Sequence, residues 1–319
     1  MVNLEQIIES VILSRALYAS CCLNIAEKLD DNTLDIKKLG EALDCDIDAL
    51  QRLMRYLLLN DIFKINSKGE YQHSEFSSTM SSAHPDTIKP FLLHEDETRW
   101  NTIGNLQYSI KTGKPSFDHL YNKDYFSYIK EHKLLSTRFN DAMRIISKRE
   151  EEIIAKEIRF TNTIVDIGGG TGQLINKINK YNTVKKLYLF ELPEVKENFT
   201  AANCIKISGS FFDKIEAKAN IYILKRILHD WNDKQALMIL KNVTDAMSID
   251  SRLLIFEGVI DQENAKYLSA IDLLLLSIFG GKERTLDGFN QLIQSSGLRI
   301  ESVKLLTETM SCIECRKNG

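Results

Sequence analysis

A glycine-rich segment near the middle of the chain has the composition of a ligand-binding loop. Residues 165–172 read Val-Asp-Ile-Gly-Gly-Gly-Thr-Gly, which is typical of a buried strand that turns into a helix. Glycine lets the backbone turn sharply and approach a ligand closely. Gly168, Gly170 and Gly172 have the spacing G-x-G-x-G, whereas a dinucleotide loop needs glycine where Gln173 stands. The loop therefore predicts a nucleoside ligand without phosphates and disfavours a nicotinamide dehydrogenase; a tight turn without a ligand is the alternative.

A carboxylate ends the next predicted strand. Glu191 lies nineteen residues after Gly172. In a parallel sheet the carboxyl ends of the strands share one edge, and a carboxylate there can accept both hydroxyls of a ribose. Glu191 alone would be read as a solvated strand end, but beside the glycine loop it predicts a ribose contact.

The segment after the third predicted strand of this region reads Ser-Gly-Ser-Phe-Phe over residues 208–212. Phe211 or Phe212 could stack on an adenine ring, and Ser210 lies directly before them. The alternative is that both aromatic side chains belong to the core.

The segment after the fourth strand reads Lys-Arg-Ile-Leu-His-Asp-Trp over residues 225–231. It places Lys225 and then His229 at the same edge of the sheet. Histidine is the natural general base near neutral pH. A histidine without context is more often structural, but none of the other five lies at a predicted strand end beside these motifs.

The elements that must position these residues follow from the apolar pattern. From Phe160 onward, short apolar runs alternate with helical stretches, which predicts a Rossmann-like, doubly wound and mostly parallel α/β sheet. The last two runs are close together and predict an antiparallel pair. The predicted strands cover residues 163–167, 185–191, 204–207, 220–225, 252–257, 299–305 and 310–315.

The first 150 residues have a different pattern. Apolar residues recur at helical spacing from Leu4 to Leu58, and a hairpin is predicted at residues 62–73, so that helices and hairpin together suggest a winged helix. Residues 1–100 contain ten Lys and Arg against seventeen Asp and Glu, the opposite of what DNA binding needs. A dimerisation module is therefore favoured over a DNA-binding one.

The bulk composition predicts a globular protein of two domains, residues 1–150 and 151–319. The chain has 319 residues, 44% hydrophobic and 27% charged, with a net charge of −3 that favours no nucleic-acid partner.

Its start lacks a signal peptide, and its most apolar run, residues 268–279, is too short to cross a bilayer, so a cytoplasmic protein is expected. Six scattered cysteines predict reduced thiols, with Cys312 and Cys315 on opposite faces of a strand.

Taken together, these motifs resemble the S-adenosylmethionine-dependent O-methyltransferases of the caffeate and acetylserotonin type. The similarity covers almost the whole chain, and the string Gly-Gly-Lys-Glu-Arg-Thr at 280–285 is its most specific part. It also includes residues 53–56, 113–117, 139–143, 192–193, 229–231 and 257–258.

The resemblance implies a role for each matched residue. Gly168 would contact the methionine end of S-adenosylmethionine, Glu191 the ribose, and Phe211 and Lys225 the adenine. Gly170 and Ser210 would also belong to the cofactor-binding residues. His229 would be the general base, with Glu257 and Glu283 orienting its ring. Asp230, Met143 and Trp100 would border a small-molecule acceptor. No metal is expected, the product is S-adenosylhomocysteine, and homodimers through the N-terminal helices are implied.

The chain departs from the family pattern at three places. Ser210 stands where the family usually has a cofactor-binding Asp, and Glu191 replaces a more usual Asp. Before Gly280 the family often has a polar His-Asn-Pro stretch, whereas this chain has Ser277-Ile278-Phe279 and is one residue shorter. A more apolar acceptor pocket is therefore expected.

The function predicted from the sequence is O-methylation of a phenolic hydroxyl on a small molecule. A relative that keeps the cofactor but catalyses a pericyclic or hydroxylating step is the first alternative, and retention of His229, Glu257 and Glu283 favours methyl transfer over it. A DNA-binding regulator is the alternative from another class.

Overall fold

The computed structural model describes residues 3–193 and 203–319, which form two compact units. One unit contains residues up to Trp100 together with Ile129–Ser147, and the other contains Asn101–Tyr128 and Lys148–Gly319. The predicted domain boundary at residue 150 stays a prediction. The helices in chain order are α1 (Leu4–Cys22), α2 (Ile25–Leu29), α3 (Ile36–Leu43), α4 (Ile47–Leu59), α5 (Glu75–Ser78), α6 (Lys89–His94), α7 (Glu97–Gly104), α8 (Leu106–Thr112), α9 (Ser116–Tyr121), α10 (Tyr125–Glu131), α11 (Lys133–Glu157), α12 (Gln173–Tyr181), α13 (Asp233–Ala246), α14 (Ala265–Ile278) and α15 (Leu286–Ser295).

The strands confirm the order predicted from the apolar runs. They are β1 (Phe63–Ile65), β2 (Tyr71–His73), β3 (Thr163–Ile167), β4 (Lys186–Glu191), β5 (Cys204–Ser208), β6 (Ile221–Lys225), β7 (Arg252–Glu257), β8 (Val259–Ile260), β9 (Arg284–Thr285), β10 (Leu298–Thr307) and β11 (Met310–Lys317).

The first unit is mostly helical, as predicted. Asn3, Asp35 and Asp46 cap the amino ends of α1, α3 and α4 by accepting backbone N–H groups. The antiparallel hairpin β1–β2 follows α4, and its turn uses Gly69 at φ +79°. One apolar cluster holds these elements together, with Met54, Leu57 and Leu39 fully buried.

Helix α1 leaves an apolar surface exposed. Its side chains Leu4, Ile8 and Ile12 are between 51% and 78% exposed.

Among the helices of residues 3–193 and 203–319, none combines the length and hydropathy that a bilayer span requires.

The second unit is built on a seven-stranded sheet with the order β10-β11-β7-β6-β3-β4-β5. Strands β3 to β7 run parallel, and the antiparallel pair β10–β11 joins β7 at one end, as the sequence predicted. The chain runs outward from β3 to β5 and then returns to β6 on the other side of β3. Such a reversal opens a crevice at the carboxyl ends of β3 and β6, where ligands of doubly wound sheets bind.

Both faces of this sheet are covered. Leu253 and Ile255 of β7 pack into one apolar cluster, whereas Leu254 and Phe256 pack into the other, because successive side chains of a strand alternate between its faces. Cys312 and Cys315 likewise fall in opposite clusters, and both are buried free thiols.

Candidate functional site

The glycine turn adopts a backbone that explains its composition. Gly168, Gly170 and Gly172 have φ values of +70°, +56° and +78°, a region that residues with a Cβ rarely occupy. A Cβ on Gly169 would lie 2.3 Å from the carboxylate of Asp166, and one on Gly168 would lie 2.6 Å from Ile227. At Gly170 nothing lies within 4 Å of the Cβ position, so this part of the turn faces open space.

Glu191 is tied to the glycine turn. Its Oε2 accepts the backbone N–H of Gly170 at 2.9 Å, and its Oε1 accepts that of Leu192 at 2.7 Å. A small cavity is lined by these residues together with Ile207 and Ser208. Glu191 thus lies at the edge of a cavity, and its remaining oxygen lone pairs could accept hydroxyl groups; its contact with a ribose stays a prediction.

The predicted adenine side lies on the turn after β5. Phe211 approaches Gly168, with 3.4 Å between its ring and the glycine's Cβ position, and Phe212 packs edge-on against Trp231 with 4.7 Å between centroids. Ser210 closes the turn by accepting the Phe212 N–H on its Oγ at 3.1 Å. Both aromatic side chains also pack on the core, so their contact with adenine stays a prediction.

Lys225, at the end of β6, lies against two carboxylates of α11. Its Nζ is 3.7 Å from Glu150 and 3.8 Å from Glu151, and the three side chains are only 8–10% exposed. Burial, opposed by the charge of Lys225, raises the pKa of Glu151 to about 7. The contact of Lys225 with adenine stays a prediction, and no local pattern in the sequence indicated this acidic pair.

Asp166 is a buried carboxyl group beneath the glycine turn. It is 1% exposed, and neither of its oxygens has a hydrogen-bond partner. Burial raises its pKa to about 7, since the charge of Lys225 compensates only in part.

His229 lies on a short 3-10 turn, Leu228–Asp230, that follows β6. Its Nδ1 is 3.1 Å from Oε1 of Glu283 and 3.7 Å from Oε2 of Glu257, while its Nε2 is 3.5 Å from Asp230. The side chains of both glutamates are fully buried, and that of His229 is 13% exposed. The structure therefore brings together all three residues that the resemblance assigned to catalysis.

The charges around His229 shift its titration. Burial alone lowers the pKa of its imidazole, but the charges of Glu257 and Asp230 and the hydrogen bond with Glu283 outweigh burial and raise the pKa to about 9. Burial also raises the pKa of Glu257, and it raises that of Asp230 to about 6 against the charge of His229. Because these groups interact strongly, they titrate as one coupled set.

Glu257 also holds the backbone before His229. Its Oε1 accepts the N–H groups of Ile227 at 2.9 Å and Leu228 at 2.8 Å. Val259 pairs with Arg284 in the short parallel pair β8–β9, which brings Glu283 next to Glu257 in space. Two-residue strands leave no periodic signal, so the sequence did not predict this pair.

The 280–285 string also shapes the His229 turn. Lys282 donates its N–H to the carbonyl oxygen of His229 at 2.8 Å. A Cβ on Gly281 would lie 2.1 Å from that same oxygen, so only glycine fits there. Arg284 is 2% exposed and donates to the carbonyl oxygens of Leu228 at 2.9 Å, Trp231 at 2.9 Å and Lys282 at 3.1 Å.

Two arginines near His229, Arg226 and Arg284, were not predicted as site residues. Arg284 lies inside the string that carried the resemblance, and that string was the available signal. Arg226 precedes the turn, has a left-handed φ of +55° and donates to Glu150 of α11 at 2.6 Å. Its contact joins residues 76 apart in the chain, for which no local pattern exists.

The same cluster has the only donor set, among residues 3–193 and 203–319, with a geometry that could hold a metal ion. Donor atoms of His229, Glu257 and Glu283 lie within 4.8 Å of one another. Arg226 already supplies positive charge there, with Nη1 at 4.0 Å from Oε1 of Glu283. The expectation of a metal-free reaction stays a prediction.

The residues predicted to border the acceptor fall in different parts of the chain. Asp230 adjoins His229 in the second unit. Trp100 and Met143 belong to the first unit, where Trp100 is 38% exposed and lies 4.9 Å from the Arg15 guanidinium. Their place at an acceptor stays a prediction.

Phe279 lies directly before Gly280 and Gly281 and forms an aromatic pair with Phe126. The ring of Phe279 stacks on that of Phe126 with 5.2 Å between centroids and 14° between planes, and Tyr125 meets Phe279 edge-on at 5.1 Å. Gly280 follows at φ +71° and turns the chain toward Gly281. The expected apolar stretch therefore places an aromatic ring three residues before Lys282, whose backbone N–H contacts His229.

These residues fit S-adenosylmethionine. The glycine turn leaves space at Gly170 and Glu191 offers carboxylate oxygens at the cavity edge, as a ribose requires. Beneath the same turn, both oxygens of the buried Asp166 carboxyl group lack a hydrogen-bond partner, so this group could accept a hydrogen bond when a ligand is bound.

Comparison with known proteins supports the same conclusion. The family model of the O-methyltransferase domain matches residues 103–299, and that of the O-methyltransferase dimerisation domain matches residues 5–83. The chain is 26% identical to the phenazine O-methyltransferase PhzM of Lysobacter antibioticus over 98% of this chain and 95% of that one. It is 29% identical to the mitomycin biosynthesis 6-O-methyltransferase of Streptomyces lavendulae, covering 94% and 89% of the two chains.

Solved structures share the fold. The crystal structure of LaPhzM superposes with a TM-score of 0.90 at 26% identity, covering 99% of this chain and all of the other. Human N-acetylserotonin methyltransferase, solved with S-adenosylmethionine, has the same fold with a TM-score of 0.88 at 21% identity, covering 99% and 97%. This chain belongs to the O-methyltransferase family, with a dimerisation domain before its catalytic domain, and is an S-adenosylmethionine-dependent O-methyltransferase.

Proposed function

We propose that this enzyme methylates a phenolic hydroxyl of a small aromatic natural product, with His229 as the general base. The observation that carries the proposal is the arrangement of the His229 ring. Its Nδ1 is engaged by Glu283 at 3.1 Å with Glu257 at 3.7 Å, so that Nε2, which has Asp230 at 3.5 Å, is the nitrogen that would take a proton from an acceptor.

The two glutamates beside His229 have different roles in proton transfer. A carboxylate on Nδ1 fixes the tautomer of the ring and stabilises the imidazolium that forms when Nε2 takes the proton. Glu283 does this directly, while Glu257 adds charge and holds the backbone at Leu228. Such a base contributes on the order of 10²–10⁴-fold to the rate.

S-adenosylmethionine supplies an electrophilic sulfonium methyl group when bound. Gly168 and Gly170 allow close backbone approach to it, Glu191 accepts the ribose hydroxyls, and Phe211, Ser210 and Lys225 border the adenine. Holding an oxygen nucleophile in line with the methyl group accounts for roughly 7–11 kcal/mol of the barrier in well-oriented reactions.

The acceptor class follows from the aromatic surface and from the relatives. The stacked rings of Phe126 and Phe279 offer a flat apolar surface, which suits a planar ring. The matched relatives include a 2,7-dihydroxy-5-methyl-1-naphthoate 7-O-methyltransferase and a 3-amino-4-hydroxybenzoate 4-O-methyltransferase, whose names describe hydroxylated aromatic acids. Asp230, and with it Met143 and Trp100, would border this acceptor.

The first 150 residues would serve assembly. The dimerisation model and the exposed apolar side chains of α1 support a homodimer through this region, with residues 151–319 as the catalytic domain. An acidic surface there gives no support to nucleic-acid binding, and a cytoplasmic location is expected.

Methyl transfer from labelled S-adenosylmethionine to a panel of phenols, phenazines, naphthoates and polyketides tests the proposal. We expect His229→Ala to lose at least 10²-fold in rate while it still binds S-adenosylhomocysteine by calorimetry. His84→Ala, which removes a histidine of the other compact unit, is the control and should keep wild-type activity. Full activity of His229→Ala would refute the general base, and transfer only to non-aromatic acceptors would refute the acceptor class.

A further inference from the structure

Arg226 combines two features that the reaction so far leaves unexplained. It is the first of the two residues between the end of β6 and the His229 turn, and its backbone is left-handed at φ +55° although it is not glycine. A non-glycine residue in that region is uncommon and persists where its surroundings hold it. Here the holding contacts are known: Arg226 Nη2 donates to Glu150 at 2.6 Å and to the carbonyl oxygen of Thr309 at 3.3 Å.

The left-handed turn aims the guanidinium at the catalytic carboxylates. Arg226 Nη1 lies 4.0 Å from Oε1 of Glu283, the same oxygen that is 3.1 Å from Nδ1 of His229. The side chain of Arg226 is 21% exposed and that of Glu283 is fully buried. Charges at this depth are poorly screened, so one positive charge matters to its neighbours.

We propose that Arg226 is a positioning residue for proton transfer: its guanidinium offsets the negative charge of the carboxylates beside His229 and thereby sets the pH range in which His229 accepts a proton. This inference rests on the proposed role of His229. Without Arg226, three carboxylates would face one imidazole, and the imidazolium would hold its proton more tightly.

The surrounding charges agree with this assignment. The positive charge of Arg226 lowers the pKa of Glu257 and of Asp230, opposing the burial that raises both. The groups facing the cluster are Glu257 from β7, Asp230 from the His229 turn, Glu283, Lys282 and Arg284 from the 280–285 string, Asp272 from α14, Asp233 from α13, Glu150 and Glu151 from α11, and Lys225 from β6.

Three variants separate charge from backbone shape. Arg226→Gln removes the charge, Arg226→Gly removes it while relieving the left-handed backbone, and Arg226→Lys keeps it. Arg252→Gln is the matched control, since Arg252 has the same 21% exposure and pairs with Glu314 on the same sheet. Thermal unfolding identifies any variant that fails to fold.

The readout is the titration of His229 in the full-length protein, followed by NMR on labelled histidine and assigned by comparison with His229→Asn. We expect the midpoint to move upward by about one pH unit in the Gln and Gly variants and by less than half of that in the Lys variant. The pH–rate profile should move by the same amount, which is about a tenfold loss at neutral pH that is recovered at higher pH.

The role of Arg226 and the role of His229 can be refuted by different results. An unchanged NMR midpoint in both Arg226→Gln and Arg226→Gly would refute the role of Arg226, whatever the rates do. A midpoint that moves while the rate profile stays in place would refute His229 as the base and leave the effect of Arg226 on the cluster intact.

Discussion

Gly170 donates its backbone N–H to the carboxylate of Glu191 across the carboxyl ends of β3 and β4, at 2.9 Å. The carboxylate is thereby held at the edge of the cavity before any ligand arrives. Preorganisation of this kind reduces the entropic cost of binding.

We predict that Glu191→Gln weakens binding of S-adenosylhomocysteine roughly ten- to hundredfold, because hydrogen bonds to a charged group contribute about 1.5–3 kcal/mol. Isothermal titration calorimetry measures it. Glu216→Gln, an exposed carboxylate paired with Lys214, serves as control. Unchanged affinity in Glu191→Gln would remove the ribose role.

The rate of methyl transfer should rise with pH. The pKa of His229 is raised to about 9, so the ring is mostly imidazolium at neutral pH and only its neutral fraction can take a proton. Below that pKa the neutral fraction grows about tenfold per pH unit, and the rate at saturating substrate should follow it before levelling off. Glu283→Gln should move the rise to lower pH, since it removes a negative charge beside the ring. A flat wild-type profile between pH 6 and 9 would contradict the assignment.

Gly281→Ala should displace the His229 turn. The added Cβ would lie 2.1 Å from the carbonyl oxygen of His229 and 2.8 Å from the carbonyl carbon of Asp230, so the turn must shift. A displacement of about 1 Å can cost 10²-fold in rate, and we expect a loss of that size with cofactor binding retained. Gly104→Ala meets nothing within 4 Å and is the control. Wild-type rates in Gly281→Ala would show that the position of His229 tolerates this shift.

Arg284→Met should destabilise the fold. The side chain is 1% exposed, and its loss removes the arginine donor of the Trp231 carbonyl oxygen and leaves that of Leu228 with only the N–H of Trp231 at 3.3 Å. We expect the free energy of unfolding, measured in urea, to fall by about 3 kcal/mol. Lys282→Met removes another partner of Asp233 but is 53% exposed, and should cost less than about 1 kcal/mol. Equal effects of the two substitutions would argue against the carbonyl contacts as the cause.

Phe279→Asn should change how the acceptor binds. The stacked pair with Phe126 loses one ring, and aromatic pairs contribute about 0.5–1.5 kcal/mol beyond their buried area. We expect KM for a planar aromatic acceptor to rise several-fold, with KM for S-adenosylmethionine unchanged, in steady-state kinetics. The acceptor KM of Phe279→Leu should lie between those of the wild type and Phe279→Asn. Equal acceptor KM values in all three proteins would exclude Phe279 from the acceptor surface.

The central sheet could be predicted closely because its strands are apolar on both faces. Strand β7 was predicted at its observed bounds, and β3 likewise. The predicted final strands were shorter than β10 and β11, which continue to Thr307 and Lys317. Their polar ends pair across the hairpin, and backbone pairing leaves little signal in side-chain pattern.

The catalytic trio was predictable through motif and resemblance, but its charge environment was not. Glu150 and Glu151 lie on a long helix of mostly charged residues, where carboxylates are usually solvated. Their burial depends on Lys225 and Arg226, which are distant in sequence. Long-range ion pairs of this kind follow from the packed structure rather than from any local spacing.

The buried carboxyl of Asp166 has a consequence for the proton balance of folding. Its pKa rises from an ordinary value of 3.8 to about 7 in the folded chain. A raised carboxyl pKa stabilises the folded state fully below the unfolded value, and this contribution is lost as pH rises through the folded one. Between pH 3.8 and about 7 the folded chain therefore carries a proton at Asp166 that the unfolded chain has released. In a weakly buffered solution within this pH range, unfolding therefore releases a proton from Asp166.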